Sequence, residues 1–146
     1  MNAVANGFHE KFPGPAARLA MRVLVVDDDR NTREILSEAL RTFGAEARSA
    51  GSVQEARAIL ALWHADVLVS DLGMPDEDGY DLIREIRSHP LDGERNIPAI
   101  ALTGYTRMED RRRALATGYD AVLTKPAELE ALLEAIRRLG SDRAPG

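Results

Sequence analysis

The chain has 146 residues, 24 acidic and 19 basic, for a formal charge of −5, a length that holds one domain with a short extension and not two. With 45% hydrophobic and 29% charged residues it buries a core and is no disordered chain, and its acidic balance argues against a general nucleic-acid binder. Cysteine is absent, which excludes disulfides, thiolate metal sites and cysteine nucleophiles, and no apolar run approaches the ~20 residues of a membrane span or forms the core of a signal peptide, so a cytoplasmic protein without membrane contact is expected.

Residues 1–20 read as a flexible N-terminal extension, broken by Gly7, Pro13, Gly14 and Pro15, with Phe8 and Phe12 as its large apolar residues. A regular alternation begins at Arg22. Val23–Val26 is a short β-branched run, read as a buried strand, and it ends in three aspartates. Asn31–Phe43 follows as a helix with Ile35, Leu36, Ala39, Leu40 and Phe43 on one stripe and Gly44 at its end. Ala45–Ser49 is a weak strand. Ser52 and Glu55 have the spacing of a capping box, and Val53, Ala56, Leu60 and Trp63 make the stripe of the next helix. Asp66–Ser70 is the third strand.

The segment DLGMPDEDG is irregular and rich in turn residues. Tyr80–Ser88 is a shorter helix, Ile97–Leu102 a clean apolar strand, and Arg107–Thr117 a helix whose thin apolar side is Met108, Leu115 and Ala116. Ala121–Leu123 is the fifth strand. Ala127–Leu139 is the last helix, lined by Leu129, Leu132, Leu133, Ile136 and Leu139. Five strand–helix units in a row predict right-handed crossovers and a doubly wound α/β fold, a parallel sheet covered on both faces. The domain is expected over residues 21–140, with 141–146 as a C-terminal tail.

In such folds ligands bind beyond the carboxyl ends of the strands. Asp27, Asp28 and Asp29 follow the first strand, Asp71 the third, Thr103 and Gly104 the fourth, and Lys125 and Pro126 the fifth. Close carboxylates repel and need a cation, and a few carboxylates with water and phosphate oxygens is how Mg²⁺ is usually held. A hydroxyl and an ammonium opposite them would hydrogen-bond and neutralise a phosphoryl group, and Gly104 would let that group approach a backbone N–H. The reading is a carboxylate nucleophile that forms an aspartyl phosphate with Mg²⁺. Lysine is otherwise almost unused: the other 17 basic residues besides Lys11 and Lys125 are arginines, which singles out Lys125.

Val23–Asp28 (VLVVDD), Asp71–Gly79 (DLGMPDEDG), Ile100–Gly104 (IALTG) and Leu123–Pro126 (LTKP) together resemble the response-regulator receiver domain of two-component signalling, over residues 22–140. The resemblance implies a CheY-like, flavodoxin-like five-stranded sheet of order 2-1-3-4-5. It implies Asp71 as the phosphoacceptor and Asp27 and Asp28 as the acidic pair at Mg²⁺, with Asp28 the more direct ligand. Gly73 would supply a backbone carbonyl to the metal, Thr103 would follow the phosphoryl group, Lys125 would pair with it, and a cis bond would precede Pro126. The partners implied are a sensor histidine kinase or histidine phosphotransfer domain, a downstream protein, and a second copy in a weak homodimer. The motif around strand four is similar to that of free-standing receivers and of those at the C-terminus of hybrid histidine kinases.

The plainer readings hold elsewhere. Asp29 is expected as a helix cap, Trp63 and Tyr80 as packing residues, and Arg111–Arg113 as a solvated face with Glu109 and Arg113 paired. The sequence departs from the family at Val122, where many receivers carry a Tyr or Phe that swings inward, and at Ala127, where Phe is common. Tyr119 and Tyr105 lie close by but not at the switch position.

Overall fold

The computed structural model describes residues 18–104 and 107–141. Tyr105, the extension as far as residue 17 and the tail from residue 142 lie outside the described residues. The elements run β1 (Arg22–Val26), α1 (Arg30–Thr42), β2 (Glu46–Ala50), α2 (Val53–Leu62), β3 (Val67–Asp71), α3 (Gly79–Arg87), α4 (Asp92–Arg95), β4 (Ala99–Thr103), α5 (Met108–Thr117), β5 (Ala121–Thr124) and α6 (Leu129–Ser141). All neighbouring strands are parallel, and their order is β2-β1-β3-β4-β5, as the resemblance implies.

Side chains alternate across a strand, so each strand feeds two cores. On one face Leu24, Val26, Leu68 and Val122 pack with Val53 and Ala56 of α2, Leu82 and Ile83 of α3 and Ala114 of α5. On the other, Val23, Val25, Val67, Val69, Ile100 and Leu102 meet Leu40 of α1 and Leu132, Leu133 and Ile136 of α6. All of β3 and β4 is buried, as expected of central strands in a sheet covered on both sides.

Four local expectations are corrected. Ile35 is 68% exposed, because α1 turns Leu36, Ser37 and Leu40 towards the sheet and leaves its neighbour in solvent. Met108 and Leu115 are also exposed, and Ala114 is the buried residue of α5. That helix packs against β5 and α3, and Ala114 is its contribution to the core that also holds Ala99, Ala101 and Val122. Arg113 does not pair with Glu109 but lies over the Tyr80 ring, 4.1 Å from its centroid, while Arg111 donates to the Val122 carbonyl at 3.1 Å. Ser52 accepts the Glu55 amide at 3.1 Å, but the complete capping box stands at α3, where Asp78 and Asp81 exchange side-chain and backbone bonds. Asp29 caps α1 as expected. The short α4 was not anticipated. Leu19, assigned by sequence to the extension, is buried, and its N–H donates to the Phe43 carbonyl at 2.8 Å, so the packed unit reaches back past Met21.

Candidate functional site

The alternation that buries the sheet also aims its polar ends. Val23 and Val25 face the core shared with α1 and α6, and the same parity carries Asp27 to that side; Val67 and Val69 do likewise for Asp71, and Ile100 and Leu102 mark the same face on β4. Because β1 and β3 are neighbours, with Val26 opposite Ser70, their terminal carboxylates meet at the sheet's edge. Carboxylate oxygens of Asp27, Asp28 and Asp71 all lie within 4.8 Å of one another. Asp27 is buried to 1% exposure and Asp71 to 7%, whereas Asp28 faces solvent.

Lys125 spans the two buried acids. Its Nζ is 2.8 Å from Asp27 Oδ2 and 3.3 Å from Asp71 Oδ2. The residue arrives there because β5 pairs with β4 (Thr103 opposite Thr124), and the Lys125 N–H donates to the Thr103 carbonyl at 2.7 Å. The next peptide bond, to Pro126, is cis. Thr103 is buried at the end of β4, on the parity opposite to Leu102. Beyond it, a Cβ built on Gly104 meets no heavy atom of the described residues within 4 Å.

Backbone groups complete the frame. Asp27 Oδ1 accepts the Asp29 N–H at 2.9 Å, which leaves Oδ2 for Lys125. Asp71 Oδ1 accepts the Gly73 N–H at 3.2 Å, so the loop after β3 folds back over the carboxylate with Gly73 exposed beside it. Arg33 of α1 donates to the Asp27 carbonyl at 2.9 Å. No sequence pattern marks that contact, since arginine is common throughout the chain.

Burial pushes the Asp71 carboxyl above its ordinary value; the Asp27 charge adds to the rise, and Lys125 and the Gly73 N–H offset only part of it. Burial pulls the Lys125 ammonium down, but the hydrogen bond to Asp27 and the charges of Asp71 and Asp27 together outweigh it and raise it. The ammonium therefore stays charged between two acids, one of which is held in an environment that disfavours its ionised form. Such a site gains from a divalent cation, and three carboxylates with an adjacent backbone loop are the hard oxygen donors that Mg²⁺ prefers. The donor set fits.

The structure thus brings Asp27, Asp28, Asp71, Gly73, Thr103, Gly104, Lys125 and Pro126 to one edge of the sheet. Residues that sequence reasoning left without a role also converge beneath it: Ser70 donates to the Asp71 carbonyl at 3.0 Å, and the buried Tyr119 hydroxyl donates to the Gly79 carbonyl at 2.7 Å.

Comparison with known proteins agrees with this geometry. Residues 23–137 match the family described as the response regulator receiver domain. The chain is 42% identical over 118 residues to a 14.6 kDa protein of Leptolyngbya boryana, covering 81% of this chain and 88% of that one. It is 33% identical over 116 residues to the sensor histidine kinase RcsC of Escherichia coli, covering 80% of this chain but 12% of the kinase. Among solved structures, the receiver domain of a signal transduction histidine kinase from Syntrophus aciditrophicus superposes with a TM-score of 0.78 at 32% identity, covering 87% of this chain and 95% of that one.

Proposed function

This chain belongs to the response regulator receiver domain family, and from that premise we propose that it accepts a phosphoryl group from a phosphohistidine onto Asp71, with Mg²⁺, and signals by changing its affinity for a partner. The observation that carries the reading is the Lys125 ammonium, held 2.8 Å from Asp27 and 3.3 Å from Asp71 at the mouth of the carboxylate cluster. A sensor histidine kinase or a histidine phosphotransfer domain would donate the group, and the acceptor of the signal is a downstream protein.

An Asp71 oxygen would attack the phosphorus as the P–N bond to the donor imidazole breaks; the electron pair stays on that nitrogen, which takes up a proton. Lys125 compensates the charge that accumulates between Asp71 and the incoming group, the Thr103 hydroxyl donates to a phosphoryl oxygen, and the backbone at Gly104 offers an N–H. Asp27, Asp28, Asp71 and the Gly73 carbonyl would hold Mg²⁺, which supplies positive charge against the phosphoryl oxygens. The chain would catalyse only its own phosphorylation and dephosphorylation. An aspartate-based phosphatase needs an acid/base carboxylate two residues beyond its nucleophile, and Gly73 occupies that position.

The test is incubation with a small phosphodonor and Mg²⁺, read by intact mass. The expected result is one phosphoryl group, labile to hydroxylamine, lost in Asp71→Asn and in the presence of EDTA. Equal labelling of Asp71→Asn would reject the assignment, and turnover of an external phosphoester would favour an enzyme instead.

A further inference from the structure

The loop between β3 and α3 carries Gly73, and its base closes at Gly79. The Gly79 N–H donates to the Leu72 carbonyl at 3.1 Å, and the Gly79 carbonyl accepts the Tyr119 hydroxyl at 2.7 Å. Both main-chain groups of this residue are therefore engaged, one towards the strand and one towards the turn that leads into β5. The joint is tight: a Cβ at Gly79 would lie 2.4 Å from the Asp71 carbonyl oxygen and 3.0 Å from the Tyr119 hydroxyl. Ser70 adds a second hydroxyl, which donates to the Asp71 carbonyl at 3.0 Å and also reaches the phenol. Tyr119 is 3% exposed and Ser70 fully buried. Burial raises the phenol well above its ordinary value, so it remains a proton donor.

These contacts form a closed polar cluster directly under the carboxylate site, in a position that the reaction described above does not use. We propose that the Tyr119 hydroxyl is a positioning group for the metal site: by latching Gly79 beneath Asp71, it holds the 72–79 loop in the conformation that presents the Gly73 carbonyl beside the three aspartates. The inference rests on the metal site proposed above. Its physical basis is that groups outside a metal's ligand shell orient the ligands, and losing one lowers affinity without removing a donor. The same turn offers a built-in control. Arg87, at the far end of α3, donates to the Gly118 carbonyl at 2.9 Å and pairs with Asp120 at 3.1 Å, so it ties the same helix to the same turn away from the loop.

Mg²⁺ titration of the unphosphorylated chain by calorimetry, with amide exchange at Gly79 followed in parallel, tests the latch. Tyr119→Phe is expected to weaken Mg²⁺ about tenfold, in line with the loss of an outer-shell partner, and to speed exchange of the Gly79 N–H. Ser70→Ala, a smaller lesion in the same cluster, should move both readouts in the same direction. Arg87→Met should leave Mg²⁺ affinity unchanged even where it lowers the unfolding midpoint. If the wild-type chain binds no Mg²⁺, the metal site itself is wrong and the latch goes with it. If the wild type binds and both Tyr119→Phe and Ser70→Ala bind equally well, the latch alone is overturned. It is likewise overturned if Arg87→Met weakens binding as much as Tyr119→Phe, because general docking of α3 would then account for the effect.

Discussion

Asp71 is held in a state that opposes its charge. Its carboxyl is raised by burial and by Asp27 more than Lys125 lowers it, so the folded chain binds a proton there more tightly than the unfolded chain does. With a raised folded value the sign is fixed: stability falls as pH rises from the ordinary value of 3.8 through the raised one, and stays reduced above it. Asp71→Asn does not titrate. In EDTA at neutral pH it is expected to unfold at a higher temperature than the wild type, with the gap closing as the pH is lowered towards 3.8. A series of melting curves across that range checks it, and a gap that widens on acidification would show that Lys125 dominates instead. Ser37 poses the opposite case. Its hydroxyl is buried in α1 with no hydrogen-bond partner among the described residues. An unpaired buried hydroxyl costs about 1–3 kcal/mol, so Ser37→Ala should raise the urea midpoint, by up to about 1 kcal/mol of stability once the lost packing is counted. A lower midpoint would reveal a partner for the hydroxyl.

At the scale of elements, the start of α3 matters most, because that helix begins where the site's loop ends. Asp78 accepts the Tyr80 and Asp81 amides at 3.0 and 3.1 Å, and Asp81 reaches back to the Asp78 N–H at 2.9 Å. Asp78→Ala is expected to cost about 1 kcal/mol, seen as a drop in the urea midpoint with an unchanged slope. An effect within error would mean that packing of Tyr80, Leu82 and Ile83 sets the helix start unaided. The strands and their polar termini were legible in the sequence because each is a short apolar run with a fixed period, and four such runs end in chemically coherent residues. Helix faces were less legible. A stripe five residues wide in α1 does not say which edge reaches solvent, and Ile35 lost that contest to Leu36 and Ser37. In α5 the pattern offers Met108 and Leu115, but the residue that reaches the core is Ala114. Least legible were contacts between residues distant along the chain. Tyr119 and Gly79 are 40 positions apart, and Arg113 meets Tyr80 across two helices. Nothing in local periodicity encodes such pairs.

For the whole molecule, one sheet supports two cores and also fixes the site, so binding at the strand ends must register in global unfolding. The carboxylate cluster is drawn from β1 and β3, the strand pair at the centre of the sheet, with Lys125 delivered from its far edge. A cation that binds only when these strands are assembled stabilises the fold by mass action, about 1.4 kcal/mol at ten times its dissociation constant. For a domain of this size that amounts to a rise of roughly 4–7 °C in the unfolding midpoint. Asp28 separates the metal effect from simple relief of repulsion, since it is the exposed member of the cluster and its removal leaves the buried Asp27–Lys125–Asp71 bridge in place. Asp28→Ala should melt at or above the wild-type temperature in EDTA, where crowding of the three acids is eased, yet gain little from Mg²⁺. Thermal unfolding of both proteins over a Mg²⁺ series, repeated with Ca²⁺ and with NaCl at matched ionic strength, gives the comparison. A rise of equal size in wild type and Asp28→Ala would assign the cation's effect to general screening of an acidic protein and remove Asp28 from the site.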